Sequence, residues 1–215
     1  KRQVLSESVS VSTIHPTAIV DPNAELADDV EVGPYAIIEA GAKLAAGCKV
    51  GGHAQLLNSV ILGENCVVAA GAILGGDPQD LGFDPKISSA VEAGSNNTFR
   101  EHVTIHRSAQ EGGATRIGTN NYLMAGSHLG HDVEIGDDNI LANHVLLGGH
   151  VKLGSRAFLG GASCYHQEIR IGDIAMVQGL SVISQDVPPF TMCAIHNEVH
   201  GLNSIGLRRA GFGAE

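Results

Sequence analysis

Val30-Glu-Val-Gly-Pro-Tyr-Ala-Ile-Ile-Glu-Ala-Gly-Ala-Lys-Leu-Ala-Ala-Gly-Cys-Lys-Val50 repeats itself every six residues. Val32, Ile38, Leu44 and Val50 are aliphatic, and two places before each stands a small or slender residue: Val30, Ala36, Ala42 and Cys48. A helix would give a period near 3.6 and an ordinary strand would alternate, so neither explains the pattern. A six-residue period belongs to a parallel β-helix, in which each hexad is one short flat strand and one tight corner. Three hexads close a triangular coil. The aliphatic residue then points inward and stacks on its counterpart 18 residues on, and the small residue also points inward, near the corner, where room is short. Glycine often follows the aliphatic position, as in Val32-Gly33, Val50-Gly51 and Leu62-Gly63, and is read as a corner residue that tolerates positive φ.

The period extends in both directions. Before the stretch it takes in Ile14, Val20 and Leu26; after it, Leu56, Leu62, Val68 and Leu74. It breaks at Gly75-Gly-Asp-Pro-Gln-Asp-Leu-Gly-Phe-Asp-Pro-Lys86, whose Gly, Pro and Asp content marks a loop. It returns weakly at Ala93, Phe99 and Ile105, and a second excursion follows over Arg107–Thr115. The cleanest run then goes from Ile117 through Leu123, Leu129, Ile135, Leu141, Leu147, Leu153, Leu159, Tyr165, Ile171 and Val177 to Ile183, with Tyr165 the one non-aliphatic member. Gln185-Asp-Val-Pro-Pro-Phe190 ends it, since proline cannot donate to a further coil. The expected organisation is all-β: a polar N-terminal segment over residues 1–13, with Val9 and Val11 alternating; a parallel β-helix over 14–183 with two excursions; and a short non-repeat tail over 184–215 that begins a helix. Excursions from a solenoid gather at its binding face. Flat walls pack on copies of themselves, and a triangular prism favours a threefold ring with ligand sites in the clefts between subunits.

Composition agrees with thin, repeated layers. The 215 residues include no Trp, five Phe, three Tyr and 28 Gly. A net charge of −10 argues against nucleic acid as a partner. No apolar run approaches the ~18–20 residues of a membrane span, and Lys1-Arg-Gln-Val-Leu-Ser-Glu-Ser8 has no apolar signal core. Cys48, Cys66, Cys164 and Cys193 show neither CxxC nor zinc spacing. Cys48 and Cys66 are interior residues one coil apart, and free thiols in a reducing cytoplasm are expected.

The chemistry gathers where the histidines do. Nine of the eleven lie between His102 and His200. His128 and His131 are three apart in Asn121-Tyr-Leu-Met-Ala-Gly-Ser-His-Leu-Gly-His-Asp-Val133, with Asp132 beside the second. Coil arithmetic puts His150 one coil above Asp132, and His166 one coil above Gly148. Two readings of His131 are open. As a general base it would take a proton from a hydroxyl while Asp132 orients it, which requires a corner at that point. Otherwise it is a solvated corner histidine with an acidic neighbour by chance. Zinc held by histidines is a third possibility, although spacing indicates no third ligand and no metal is expected. The loop Asp77-Pro-Gln-Asp-Leu81 offers amide and carboxylate groups to a hydroxyl, or is a plain surface turn. Arg208-Arg209 is either a diphosphate grip or solvated charge. No Ser or Cys pairs evidently with His131, so direct transfer to an acceptor hydroxyl is more natural than a covalent enzyme intermediate.

From Ile14 to Phe212 the chain resembles the UDP-N-acetylglucosamine O-acyltransferases that begin lipid A synthesis. The motifs are His15-Pro-Thr-Ala-Ile-Val20, Pro78-Gln-Asp-Leu81, Arg100-Glu-His-Val-Thr-Ile-His-Arg107, Leu123-Met-Ala-Gly-Ser-His-Leu-Gly-His-Asp132, Ile140-Leu-Ala-Asn143, Gly149-His-Val151, His166-Gln167, Gln185–Phe190 and Gly206-Leu-Arg-Arg209. The resemblance implies a left-handed β-helix, a homotrimer with sites between subunits, and no cofactor beyond the carrier-bound donor. It implies transfer of a 3-hydroxyacyl group from acyl carrier protein to the 3-hydroxyl of UDP-N-acetylglucosamine, or N-acyl transfer to a 3-amino analogue. A γ-carbonic-anhydrase-like metalloenzyme and a non-catalytic nucleotide-sugar binder are the readings from other classes. By the same resemblance His131 is the general base and Asp132 its partner. His128, His150 and His166 line the site, Gln79 and Asp80 lie near the sugar, and Gln167 falls where a backbone group steadies the thioester oxygen. Asn203 and Arg209 meet the nucleotide, and Gly179 sits at the acyl-length ruler, where a small residue leaves room for a longer chain. Three positions depart from the family: Gly82 replaces its usual Lys, Ile205 an acid, and Ala210 the second Arg of its Arg-Arg-Gly-Phe ending. The family's C-terminal helical domain is expected to be absent after Glu215.

Overall fold

The computed structural model describes residues 13–57 and 59–213. Val9 and Val11 lie outside them. Short strands, most of two residues, stack into three parallel sheets that form the faces of a triangular prism. Face one begins at Thr13–Ile14, face two at Ile19–Val20 and face three at Glu25–Leu26, and the chain visits them in that order on every coil. Register follows the hexad. Val32 pairs with Val50 and Val50 with Val68 on face one, while Leu129, Leu147, Tyr165 and Ile183 stack on face two.

The inward pair of each hexad makes the core. Leu56, Leu74, Ile105, Leu123, Leu129, Leu141, Leu147 and Leu159 are fully buried, as are Ala36, Ala54, Ala72, Cys48 and Cys66. All four cysteines are unpaired. Tyr165 is also inward, and its hydroxyl accepts a hydrogen bond from Ser163 Oγ at 3.0 Å. Along one inner edge buried Asn97, Asn121 and Asn139 form a ladder: each of the two lower carboxamides accepts both the backbone N–H and the side-chain N–H of the next, at 2.9–3.1 Å. The topmost Asn139 accepts from Ala157 N–H at 2.8 Å. These polar groups are buried and satisfied, as burial requires.

The corners correct one reading of the glycines. Gly33, Gly51 and Gly63 are not the positive-φ residues. A Cβ on any of them would come within 2.6–2.8 Å of backbone in the next coil, so close stacking demands glycine there. Positive φ falls three places after most of the inward hexad residues, at Tyr35, His53, His102, Asp132, His144, His150 and even β-branched Ile174 (φ 56°).

Both excursions leave from the edge between faces two and three. Across the first, Leu74 pairs with Ile105, and across the second Ile105 pairs with Leu129, so partners lie 31 and 24 residues apart rather than 18. The six-residue period stops at Ile183, yet ladder pairing continues. Val187 bridges Ile171, and Thr191–Ala194 adds a parallel strand to face one. Antiparallel Glu198–Leu202 then covers that sheet's last edge. Helix Ser204–Arg209 follows, capped by Asn203.

Candidate active site

His131 and Asp132 occupy the corner between faces two and three in the coil directly above the second excursion. Asp132 takes the left-handed corner conformation, φ 60°. That turn brings two consecutive side chains to one side, and His131 Nδ1 lies 2.8 Å from Asp132 Oδ2. Asp132 also accepts from Ser108 Oγ and, at 3.0 Å, from Ala109 N–H, and its own N–H donates to Thr115 Oγ1 at 2.9 Å. Burial opposes ionisation of Asp132, but the donors Ser108, His131 and Ala109 outweigh it and hold the carboxyl below its ordinary range. With Nδ1 bound to the carboxylate, the ring's free position is Nε2. Gly149 in the next coil makes room for it: a Cβ there would lie 2.8 Å from Nε2.

His150 stands one coil above, its ring edge-on to His131 with centroids 5.0 Å apart and its Nε2 3.8 Å from Asp132 Oδ2. On face two His128 Nδ1 meets Thr104 Oγ1 at 2.8 Å and packs edge-on to His106 at 4.7 Å. Desolvation, with charge repulsion from His128 and His131, pushes the nearly buried His106 down to about 4; burial also lowers His128. Both are neutral imidazoles at neutral pH.

Gln79, His106, His128, His131, Leu146, Cys164 and Gln167, with Gly130, Gly148 and Gly149, line a concavity of about 320 Å³. A larger one, about 610 Å³, crosses face three between Arg116, Glu134, Lys152, Arg170 and Asp186. It is open, it holds no histidine, and its charges pair along the wall, so the smaller concavity is the chemical one. Gln79 and exposed Asp80 come from the first excursion, where Asp80 Oδ1 accepts from Gly82 N–H at 2.8 Å. His166 and Gln167 are exposed at the same edge two coils above His131. The first excursion is tied down by Arg107, which is 3 % exposed. Its guanidinium reaches Asp77 Oδ1 at 2.8 Å, Ile87 O at 2.6 Å and Pro85 O at 2.9 Å, with Phe83 against its face.

Three expected site residues are not brought to this corner. Gly179 lies on the edge between faces one and two, against Gly161. Asn203 is buried, donates to Ile174 O at 2.8 Å near the third edge, and caps the helix through Gly206 N–H. Arg209 is exposed in that helix's last turn. Conversely, sequence reasoning gave no role to Thr104, Arg107 or Ser108. The trio His131, Asp132 and His150 supplies the third group that spacing did not indicate for a metal: its ligand atoms lie within 4.8 Å of one another.

Residues 114–149 match the bacterial transferase hexapeptide (six repeats) family, and residues 186–215 match domain 2 of the UDP-N-acetylglucosamine O-acyltransferases. The acyl-[acyl-carrier-protein]--UDP-N-acetylglucosamine O-acyltransferase of Paraburkholderia xenovorans is 47 % identical over 204 residues, 94 % of this chain and 78 % of that protein. That of an Anaeromyxobacter strain is 48 % identical over 204 residues, 94 % of this chain and 79 % of that protein. The chain belongs to the UDP-N-acetylglucosamine O-acyltransferase family. Among solved structures of this family, that from Acinetobacter baumannii superposes with a TM-score of 0.89 at 37 % identity, covering 93 % of this chain and 78 % of its own. The enzyme from Campylobacter jejuni gives 0.87 at 36 % identity, with 92 % and 77 % covered. Such superposition requires the same hand of coiling, so the fold is the left-handed parallel β-helix of the family. Family membership makes this chain an acyltransferase.

Proposed function

We propose that the protein transfers a 3-hydroxyacyl group from acyl carrier protein to the 3-hydroxyl of UDP-N-acetylglucosamine, the first step of lipid A synthesis, with His131 as general base. The observation that carries the mechanism is the His131–Asp132 contact at a corner whose facing position, Gly149, leaves Nε2 open. Nε2 takes the acceptor hydroxyl's proton as that oxygen attacks the thioester carbonyl. Asp132 holds Nδ1–H and balances the charge that forms on the ring. The Gln167 N–H, two coils above His131, is assigned to steady the carbonyl oxygen. Collapse breaks the C–S bond, and the imidazolium returns its proton to the leaving thiolate.

A trimer is part of this reading. Gly179, Asn203 and His131 belong to three different edges, so one chain cannot bring them together, whereas copies packed edge to face can. The outer residues of faces one and two support this. Ile140, Phe158 and Met176 run up face one, and Leu146, Cys164 and Val182 up face two. Face three instead carries charge on successive coils, at Glu92, Arg116, Glu134, Lys152 and Arg170. Carrier-protein and nucleotide contacts are assigned to the clefts so formed, with Asp80 and Gln79 at the sugar and Arg209 at the nucleotide. Unpaired cysteines support a cytoplasmic site of action, and among the described residues no helix is long and apolar enough to cross a membrane.

The test is turnover. Purified protein is incubated with UDP-N-acetylglucosamine and 3-hydroxyacyl carrier proteins of graded chain length, beside His131→Ala. The variant is expected to lose at least ~100-fold; equal rates would refute the base, and no turnover at any length would refute the substrate. The His131, Asp132 and His150 trio also suits a metal-centre reading. Zinc retained in stoichiometric amount, and lost from His150→Ala, would replace the base mechanism with that one.

A further inference from the structure

We propose that Ser108 is a positioning residue for the catalytic pair, clamping one oxygen of Asp132 so that the other faces His131; the proposal rests on the reading of His131 as general base. Ser108 is completely buried at the start of the second excursion, and its hydroxyl donates to Asp132 Oδ1. The same hydroxyl accepts the Gln110 N–H at 3.0 Å, so its proton is committed to the carboxylate. Ala109 N–H and His131 Nδ1 then share Oδ2. The backbone behind this clamp is held twice: Ser89 Oγ donates to Ser108 O at 2.7 Å, and neighbouring Arg107 pins the first excursion. Without the hydroxyl, Oδ1 becomes a largely buried acceptor with no donor. The carboxylate then turns toward water or toward His150, 3.8 Å away, and loosens its hold on Nδ1. The coil register explains the contact, since Ser108 lies 24 residues before Asp132, the spacing of partners across the second excursion.

The decisive experiment reads the His131 ring without needing substrate. Histidine-labelled protein is measured by nitrogen NMR, with His131 assigned by its loss in His131→Gln, in wild type, Ser108→Ala and Ser108→Gly. Melting curves on each variant confirm folding, and glycine leaves no methyl in the buried site. The wild-type ring is expected to carry its proton on Nδ1, and in both variants that tautomer loses population. In turnover assays kcat falls about tenfold while KM for the nucleotide sugar stays within about twofold. Ser108→Ala combined with Asp132→Asn is expected to be no worse than Asp132→Asn alone. An unchanged tautomer in folded variants, or losses that multiply in the double variant, would overturn the assignment. A wild type without turnover would remove the acyltransfer reading and leave the tautomer measurement to decide Ser108.

Discussion

His131 depends on what its neighbours leave out as much as on what they supply. Gly149 has no side chain where a Cβ would stand 2.8 Å from Nε2. Gly149→Ala should therefore swing the ring off Asp132 and cut kcat by at least about tenfold, with a melting temperature near wild type. A variant of full activity would show that Nε2 does not need that space. His106 sets a second test at this scale. Its folded value of about 4 lies well below the ordinary 6.5. Between these values the unfolded chain binds a proton that the folded chain excludes, so stability falls as pH drops from about 6.5 toward 4. The loss is on the order of 3 kcal/mol, and denaturant melts across that window should be flatter in His106→Gln. Asp132 acts in a lower window: its depressed value adds stability that is lost only as pH falls below the carboxylate range.

Among the elements, the first excursion depends most on a single side chain. Arg107 replaces the missing coil contacts with bonds to Asp77, Pro85 and Ile87. Arg107→Lys keeps the charge but loses the planar fork, leaving carbonyls unpaired. It should cost about 2–4 kcal/mol and open the segment 77–87 to proteolysis before the coils unfold. Cleavage no faster than in wild type would contradict this. The same element marks where sequence reading ran out. Hexads from Ile14 to Leu74 and from Ile117 to Ile183 were legible because one inward position repeats without interruption. Asp132 and His150 were legible as neighbours because no excursion lies between them. Ser108 and Asp132 were not, because their register depends on how much chain the second excursion takes out of the stack, and the excursion's composition does not state that. The left-handed corner was misplaced for another reason. The glycine directly after the inward residue serves for close approach of coils, while the positive φ falls two places later, on glycines such as Gly41 and Gly126 and on His, Asn, Asp and others alike.

At the scale of the molecule, the upper coils of two faces are apolar outside and the third face is charged. An exposed ladder of paired charges such as Lys152–Glu134, 3.2 Å apart, adds little stability, but it keeps face three from packing on anything apolar. Phe158 on face one is 38 % exposed in the single chain. Phe158→Glu should disperse the proposed trimer in sedimentation analysis and abolish turnover while leaving the β-helix signal in circular dichroism. Lys152→Glu, on face three, should leave both assembly and turnover unchanged. If Phe158→Glu sediments as wild type, face one is not the subunit contact. The histidine excess also reads differently at this scale: His53, His102, His144 and His150 share the corner position, so only their edge distinguishes scaffold from site. His150 lies on the edge of the excursions; the other three lie on the edge between faces one and two.

Because every coil grips only its two neighbours, the distance between paired residues is also the length of chain set free when one coil is peeled away. Over most of the stack that is 18 residues, roughly 60 Å of extended chain. At the two excursion joints it is 31 and 24 residues, roughly 100 and 80 Å. A molecule drawn out from its ends would lengthen in even steps, interrupted by two longer ones, and the shorter of those two ends on the coil that carries His131.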